Sequence, residues 1–371
     1  MTTAGGPWRL QGVLLPSGED TELWIEHGVL VDGPLPTATT LRHGCWIMPG
    51  FVDAHCHIGL GAKGAVPMDT AREQARTDRD AGTLLVRDAG VPIDTHAMDD
   101  EPDMPRIIRA GRHIARPRRY LRGYGVEIEP EQLVDEVDRQ ARRGDGWVKL
   151  VGDWIDRDKG DLAPLWEPAI AEQAIERAHS LGARVTAHCF GEDSATELVG
   201  AGIDCIEHGT GISPQTVDEM ARRQVALVPT LINIQTFPAI ADSAQRFPTY
   251  AAHMRALFAG HLPRLRAARD AGVPIYAGTD AGGTIHHGRI GDEIVALGQL
   301  GDAEFALGAA SWRARRWLGA PGPEDGAPAK GSGVEVGASA DLVVFDSDPR
   351  LDLSVCTHPD LVVLRGNPII G

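Results

Sequence analysis

The chain predicts an α/β fold: a (β/α)8 TIM barrel carrying a small β-sandwich made by its two ends. Three observations predict it. The middle zone, residues 49–319, is about the size a barrel of this kind needs. Within that zone, helical patterns stop near a glycine and an apolar strand follows a few residues later. The flanks, 1–48 and 320–371, hold short strands but too little apolar sequence for cores of their own, so they are expected to pair with each other.

At the N-terminus, Trp8–Leu14, Thr21–Ile25, Val29–Val31 and Cys45–Met48 read as strands separated by Pro/Gly turns. Eight apolar runs follow: Phe51–Ala54, Thr83–Val86, Arg106–Ala110, Trp147–Val151, Arg184–His188, Asp204–His208, Val225–Pro229 and Val273–Ala277. Short continuous apolar runs suit parallel strands buried on both faces. Helices are expected at Met68–Ala81, Glu131–Arg143, Trp166–Leu181, Asp193–Ala201, Pro214–Arg223 and Ala251–Ala271, with a closing helical region over Asp292–Leu318. Glycines such as Gly82, Gly182, Gly202 and Gly272 sit where a left-handed helix C-cap is wanted. A doubly wound open sheet is the rival arrangement. After the Gly/Pro-rich loop Ala320–Gly333, strands return at Val334–Val336, Asp341–Phe345 and Leu361–Arg365.

Composition excludes several classes. Hydrophobic residues at 43% and charged residues at 24% are those of a globular protein, not a disordered one. A formal net charge of -16 argues against a nonspecific nucleic-acid binder, which needs a basic face. No run approaches the roughly 18 apolar residues of a membrane span, and Met1–Leu10 lacks the apolar core of a signal peptide. Five scattered cysteines (Cys45, Cys56, Cys189, Cys205, Cys356) do not make a disulfide framework. The expectation is a cytoplasmic protein with a small-molecule or peptide substrate and neither nucleic acid nor membrane as partner; homo-oligomer formation stays open.

In a barrel of this type the active site lies at the carboxyl ends of the strands. Five of those ends carry titratable residues: His55-Cys56-His57, Lys149, His188, Glu207-His208 and Thr279-Asp280. His55 and His57, at i and i+2, point to one side of their strand and can share a ligand. Singly, each has a plain structural reading, such as a hydrogen-bonded core histidine or an aspartate capping a turn. Lysine occurs at only four positions (63, 149, 159 and 330), so Lys149 inside an apolar strand stands out. A buried ammonium must be paired or neutralised. Asp153 or Asp156 offers an ordinary ion pair; otherwise the neutral amine adds carbon dioxide and becomes an anionic carbamate.

These segments together resemble the amidohydrolase superfamily, in its binuclear branch with a carboxylated lysine, and within it the imidazolonepropionase-like group that includes Xaa-Pro and Xaa-Arg dipeptidases. The carrying stretches are Pro49–His57, Trp147-Val148-Lys149, Val185–His188, Ile206–Gly209, Ala277–Gly282 and Ala340–Phe345. The resemblance implies that His55, His57 and Asp280 hold the more buried of two divalent metals. It implies that His188 and His208 hold the second, and that carbon dioxide, as the carbamate of Lys149, bridges them. Zinc is the first expectation, with cobalt, manganese or iron as alternatives. The implied reaction is hydrolysis of an amide-type C–N bond in a peptide or N-acyl amino acid, a dipeptide or a natural-product precursor. Hydroxide held between the metals attacks, and Asp280 serves as general base and then acid. A cyclic amidase, lactonase or detoxifying hydrolase on the same metals is the alternative. A deaminase, or a scaffold without catalysis, fits less well.

Other patterns carry less. Gly59–Gly64 spells G-x-G-x-x-G, but Val66-Pro67 follows where a nucleotide-binding helix would have to open. Cys56 and Cys189 alternate to the side opposite the proposed ligands. His287 is a candidate substrate contact or a loop residue. After the third strand, relatives commonly carry a Gly-Gly-His-like turn, whereas Ala115–Tyr124 here is rich in arginine. Arg118 or Arg119 is expected to hold a substrate carboxylate with Tyr120 packed beside it; the alternative is bracing of the acidic segment Glu127–Asp138.

Overall fold

The computed structural model describes residues 6–319 and 333–370. The two chain ends share one seven-stranded sheet, in the order Asn367–Ile370, Leu361–Leu364, Leu342–Phe345, Thr39–Pro49, Trp8–Leu14, Glu19–Glu26, Val29–Val31. The expected pairing of the ends is made where Val344 lies antiparallel to Ile47. Leu10, Ile25, Ile47, Leu342, Val344 and Val363 form one buried cluster on this sheet. Val334–Val336, expected as a strand, is turn and bend instead, and Val336 is 68% exposed. The loop expected at Ala320–Gly333 lies outside the described residues apart from Gly333.

The strand Thr39–Pro49 runs through Gly50 directly into Phe51–Cys56, carrying the chain from this sheet into the α/β part. There Phe51–Cys56, Thr83–Asp88 and Arg106–Arg109 form a parallel three-stranded sheet. Trp147–Val151, Arg184–Cys189, Cys205–His208 and Ala226–Val228 form a second parallel set, edged by the short strands Ile114–Ala115 and Val126–Glu127. The eighth run, Val273–Ala277, is not a strand. Pro274 has no N–H to give a ladder, and what remains is a single bridge from Ile275 to Leu227. This stretch still bonds to both flanks: Leu227 donates to the Pro274 carbonyl at 2.8 Å, and Ala54 donates to that of Ala277 at 2.8 Å.

Helices fall close to their expected places, at Met68–Asp80, Leu133–Arg143, Pro168–Ser180, Glu192–Gly200, Pro214–Arg223 and Pro248–Asp270. The closing helical region is three helices, Ile290–Leu297, Ala303–Ala309 and Trp312–Leu318. Two short helices, Leu231–Ile234 and Phe237–Ser243, were not expected. Gly182 and Gly272 adopt φ of 75° and 85° with open space where a Cβ would stand, so conformation rather than crowding calls for glycine there. No described helix is long and apolar enough to cross a membrane.

Candidate metal centre

Parallel register delivers the strand-end side chains to one place. His188 pairs with Val151 on one side and Glu207 on the other, and His208 pairs with Cys189. His55, His57, Lys149, His188 and His208 are all buried, at 4% exposure or less.

Each histidine is held in a defined state. His55 Nδ1 donates to Glu207 Oε2 at 2.7 Å, and His57 Nδ1 donates to the Gly90 carbonyl at 2.9 Å. Both acceptors lack a proton to give, so in the neutral form of each ring the proton sits on Nδ1 and Nε2 is the lone-pair atom. These atoms lie 3.2 Å apart, and Asp280 Oδ1 lies 3.2 Å from one and 3.0 Å from the other. Ligand atoms about 2.0–2.1 Å from a shared tetrahedral cation are separated by roughly 3.3 Å. Nearby, His188 Nδ1 faces His208 Nε2 at 2.9 Å, and His208 Nδ1 meets Thr230 Oγ1 at 2.7 Å. Ligand atoms of His55, His208 and Asp280 all lie within 4.8 Å of one another.

Lys149 Nζ is buried with no hydrogen-bond partner among the described residues, and burial lowers its pKa. The ordinary ion pairs considered for it are absent. Asp153 instead accepts from the Phe190 and Gly191 N–H groups and from Ser194, and Asp156 pairs with Arg119. Burial drives His188 well below its ordinary pKa and His208 down to about 3, so both are neutral imidazoles, the ligand form. Burial pushes the other way on Asp280, but His55 and His57 outweigh it and keep the carboxyl well below its usual range. Neutral imidazoles, one carboxylate and an orphaned amine form a donor set that fits cations. The residues present fit divalent metal.

A second ring of residues, none singled out from sequence as a site residue, holds the first. Glu207 is fully buried and also accepts from Arg87 Nη2 at 2.5 Å and from the Thr186 hydroxyl. A carboxylate behind a ligand histidine fixes its tautomer and orientation. Asn233 Nδ2 donates to Asp280 Oδ2 at 2.7 Å. Thr230, which holds His208, sits at φ 49°, a strained value for a β-branched residue. Glu293 secures that turn by accepting from Leu231 N at 2.8 Å and Ile232 N at 2.9 Å. The turn after the third strand also contains a histidine: His113 is fully buried and stacks on His57 at 5.0 Å, with neither ring nitrogen hydrogen-bonded among the described residues. Gly111-Arg112-His113 was the available sign of it, overlooked beside the arginine-rich stretch.

The arginines do not brace Glu127–Asp138. Arg106 pairs with Asp341, Arg109 with Asp99 and Asp145, and Arg119 with Asp156, while Glu136 and Asp138 pair with Arg139, Arg142 and Arg177. Arg119 is further fixed by donating to the Trp154 and Ala163 carbonyls. Arg118 is exposed, at φ 59°. Tyr120 reaches the centre, its ring 5.3 Å from His113 and 5.8 Å from His188. His287 does not join the ligand cluster. It pairs with Asp78 at 2.7 Å beside Cys56, which alternates away from its neighbouring histidines. The Gly59–Gly64 string is a two-stranded hairpin, Leu60–Gly61 against Gly64–Ala65, rather than the opening of a helix.

Residues 46–369 match the model of the amidohydrolase family. Uncharacterized proteins of Mycobacterium tuberculosis and Mycobacterium bovis are 57% identical over 359 residues, covering 96% of this chain and 94% of theirs. Among solved structures, a Xaa-Pro dipeptidase with bound methionine in the active site superposes with a TM-score of 0.81 at 21% identity, covering 98% of this chain and 99% of that one. An A. niger ochratoxinase superposes with a TM-score of 0.79 at 19% identity, covering 98% and 95%.

Proposed function

The chain belongs to the amidohydrolase family, and from that premise we propose that it is a binuclear metal-dependent hydrolase cleaving an amide-type C–N bond of a peptide or N-acyl amino acid. One observation carries the reading. Four histidines and Asp280 converge beside Lys149, whose buried Nζ has no hydrogen-bond partner among the described residues. In this reading the parallel strands form the barrel and the shared end sheet belongs to the small β-sandwich domain; the hydrogen bonds of 273–277 to both flanks support the first.

The amine of Lys149, kept neutral by burial, adds carbon dioxide and releases one proton, giving a carbamate anion on Nζ. His55, His57 and Asp280 on one side, and His188 and His208 on the other, would hold the cations, with carboxylated Lys149 as a ligand of both. When bound, such cations acidify water and polarise a carbonyl. Asp280 then does the proton work. Its Oδ1 faces the reacting centre while Asn233 pins Oδ2, so one oxygen is presented to take the water's proton and pass it to the leaving nitrogen. Glu207 keeps His55 in one tautomer throughout. Tyr120 and His113 flank the centre and are assigned to the substrate's walls.

A panel of dipeptides and N-acyl amino acids, followed by amine release before and after chelation, tests the reading. Hydrolysis abolished by chelation and restored by zinc, cobalt or manganese is expected. Release of ammonia instead of an amino acid would contradict it.

A further inference from the structure

A cleft of about 920 Å³ opens beside the metal centre, lined by Arg118, Arg119, Tyr120, Arg122 and Arg157. Tyr120 is common to both, since the same ring stands against His113 and His188. Arg119 is neutralised by Asp156 and locked by two carbonyls, so it is wall rather than free charge. The guanidinium groups of Arg118, Arg122 and Arg157 have no ion pair among the described residues; Arg157 donates one bond, to the Arg118 carbonyl. Burial above all presses the Arg119 pKa down, with the nearby charges of Arg116 and Arg157 adding to it against Asp156 and Asp153. Glu127 and Asp158 also line the cleft but engage none of these arginines. In a protein of net charge -16, like charges held together without acidic partners repel one another and leave a standing attraction for an anion.

We propose that this cleft is an anion subsite that selects peptide or N-acyl amino acid substrates carrying an additional, Asp- or Glu-type carboxylate. The proposal rests on the hydrolase reading for which bond is cut, and on the cleft alone for which substrates are preferred. Planar guanidinium groups match a carboxylate through paired hydrogen bonds. Because the arginines are open to solvent, screening keeps the preference moderate, about tenfold.

Calorimetric binding of N-acetylglutamate against N-acetylglutamine, and turnover of Ala-Glu against Ala-Gln and of Glu-Ala against Gln-Ala, test it in the full chain. The wild type is expected to bind the acidic ligand about tenfold more tightly and to show a KM lower by a similar factor for an acidic dipeptide. The double variant Arg118→Gln/Arg122→Gln should erase that preference, leave the amide ligands unchanged and keep the wild-type melting temperature. No charge preference in the wild type, no binding of either ligand, or a preference that survives in the double variant would overturn the proposal. Binding that follows charge without hydrolysis of any amide would sink the hydrolase reading and leave the subsite standing. Hydrolysis indifferent to charge does the reverse.

Discussion

In the proposed reading Asp280 must be a ligand and a proton carrier at once, and both tasks fall to one oxygen. Oδ1 faces His55 and His57; Oδ2 is held by Asn233 at 2.7 Å. Asp280→Asn keeps an oxygen for a cation and removes the proton acceptor, so turnover should fall on the order of 10²-fold or more while part of the metal stays bound. Asn233→Ala leaves the carboxylate in place but unpinned, with a smaller loss, about tenfold. Steady-state kinetics with metal analysis checks both, and near-normal turnover of Asp280→Asn would remove it from the proton's path. The four candidate histidines, Lys149 and Asp280 could be picked out in the sequence because they stand in or just after apolar runs, where a hydrophobic strand has no use for a charge. Asn233, Thr230 and His113 were not. Thr230 and Asn233 belong to the start of a short helix that the apolar pattern did not mark, with partners 22 and 47 residues away, and the one sign of His113, Gly111-Arg112-His113, was overshadowed by the arginine-rich stretch.

At the scale of elements, the segment Leu231–Ile234 matters most, because it sits between Thr230, which holds His208, and the helix Ile290–Leu297, which carries Glu293. Burial lifts the Glu293 pKa to about 8, more than its two N–H bonds lower it. An acid whose folded pKa is raised stabilises the fold fully below its unfolded value of about 4.3, and that contribution is lost as pH rises toward about 8. Glu293→Gln cannot titrate and turns one acceptor into a donor facing an N–H group. Urea midpoints between pH 5 and 8.5 should therefore show the variant's deficit largest at low pH and shrinking toward pH 8. A deficit independent of pH would mean that Glu293 stays in one protonation state. Elements were legible where an apolar run met a helix-ending glycine. Val273–Ala277 read as a strand because it is apolar, but Pro274 withholds a donor from the ladder. Val334–Val336 lies between Gly333 and Gly337, which both adopt positive φ and turn the chain away from an extended run.

On the scale of the whole molecule, the pairing of the two ends was predictable from their lack of separate cores. The structure shows how it serves the centre: one strand leaves the shared sheet at Pro49 and, after Gly50, enters the strand Phe51–Cys56 that carries His55. What the sequence could not reveal was where the basic charge goes in an acidic chain, since ion-pair partners such as Arg106 with Asp341 lie far apart along it. The central claim is that two cations are held around a carboxylated Lys149, and metal content per chain measures it most directly. Elemental analysis of the wild type should give close to two divalent ions per chain, and Lys149→Ala should lose most of them together with activity, with a small part of both regained on adding short carboxylates. A wild type active without metal, or a Lys149→Ala variant with an unchanged metal count and full turnover, would contradict it.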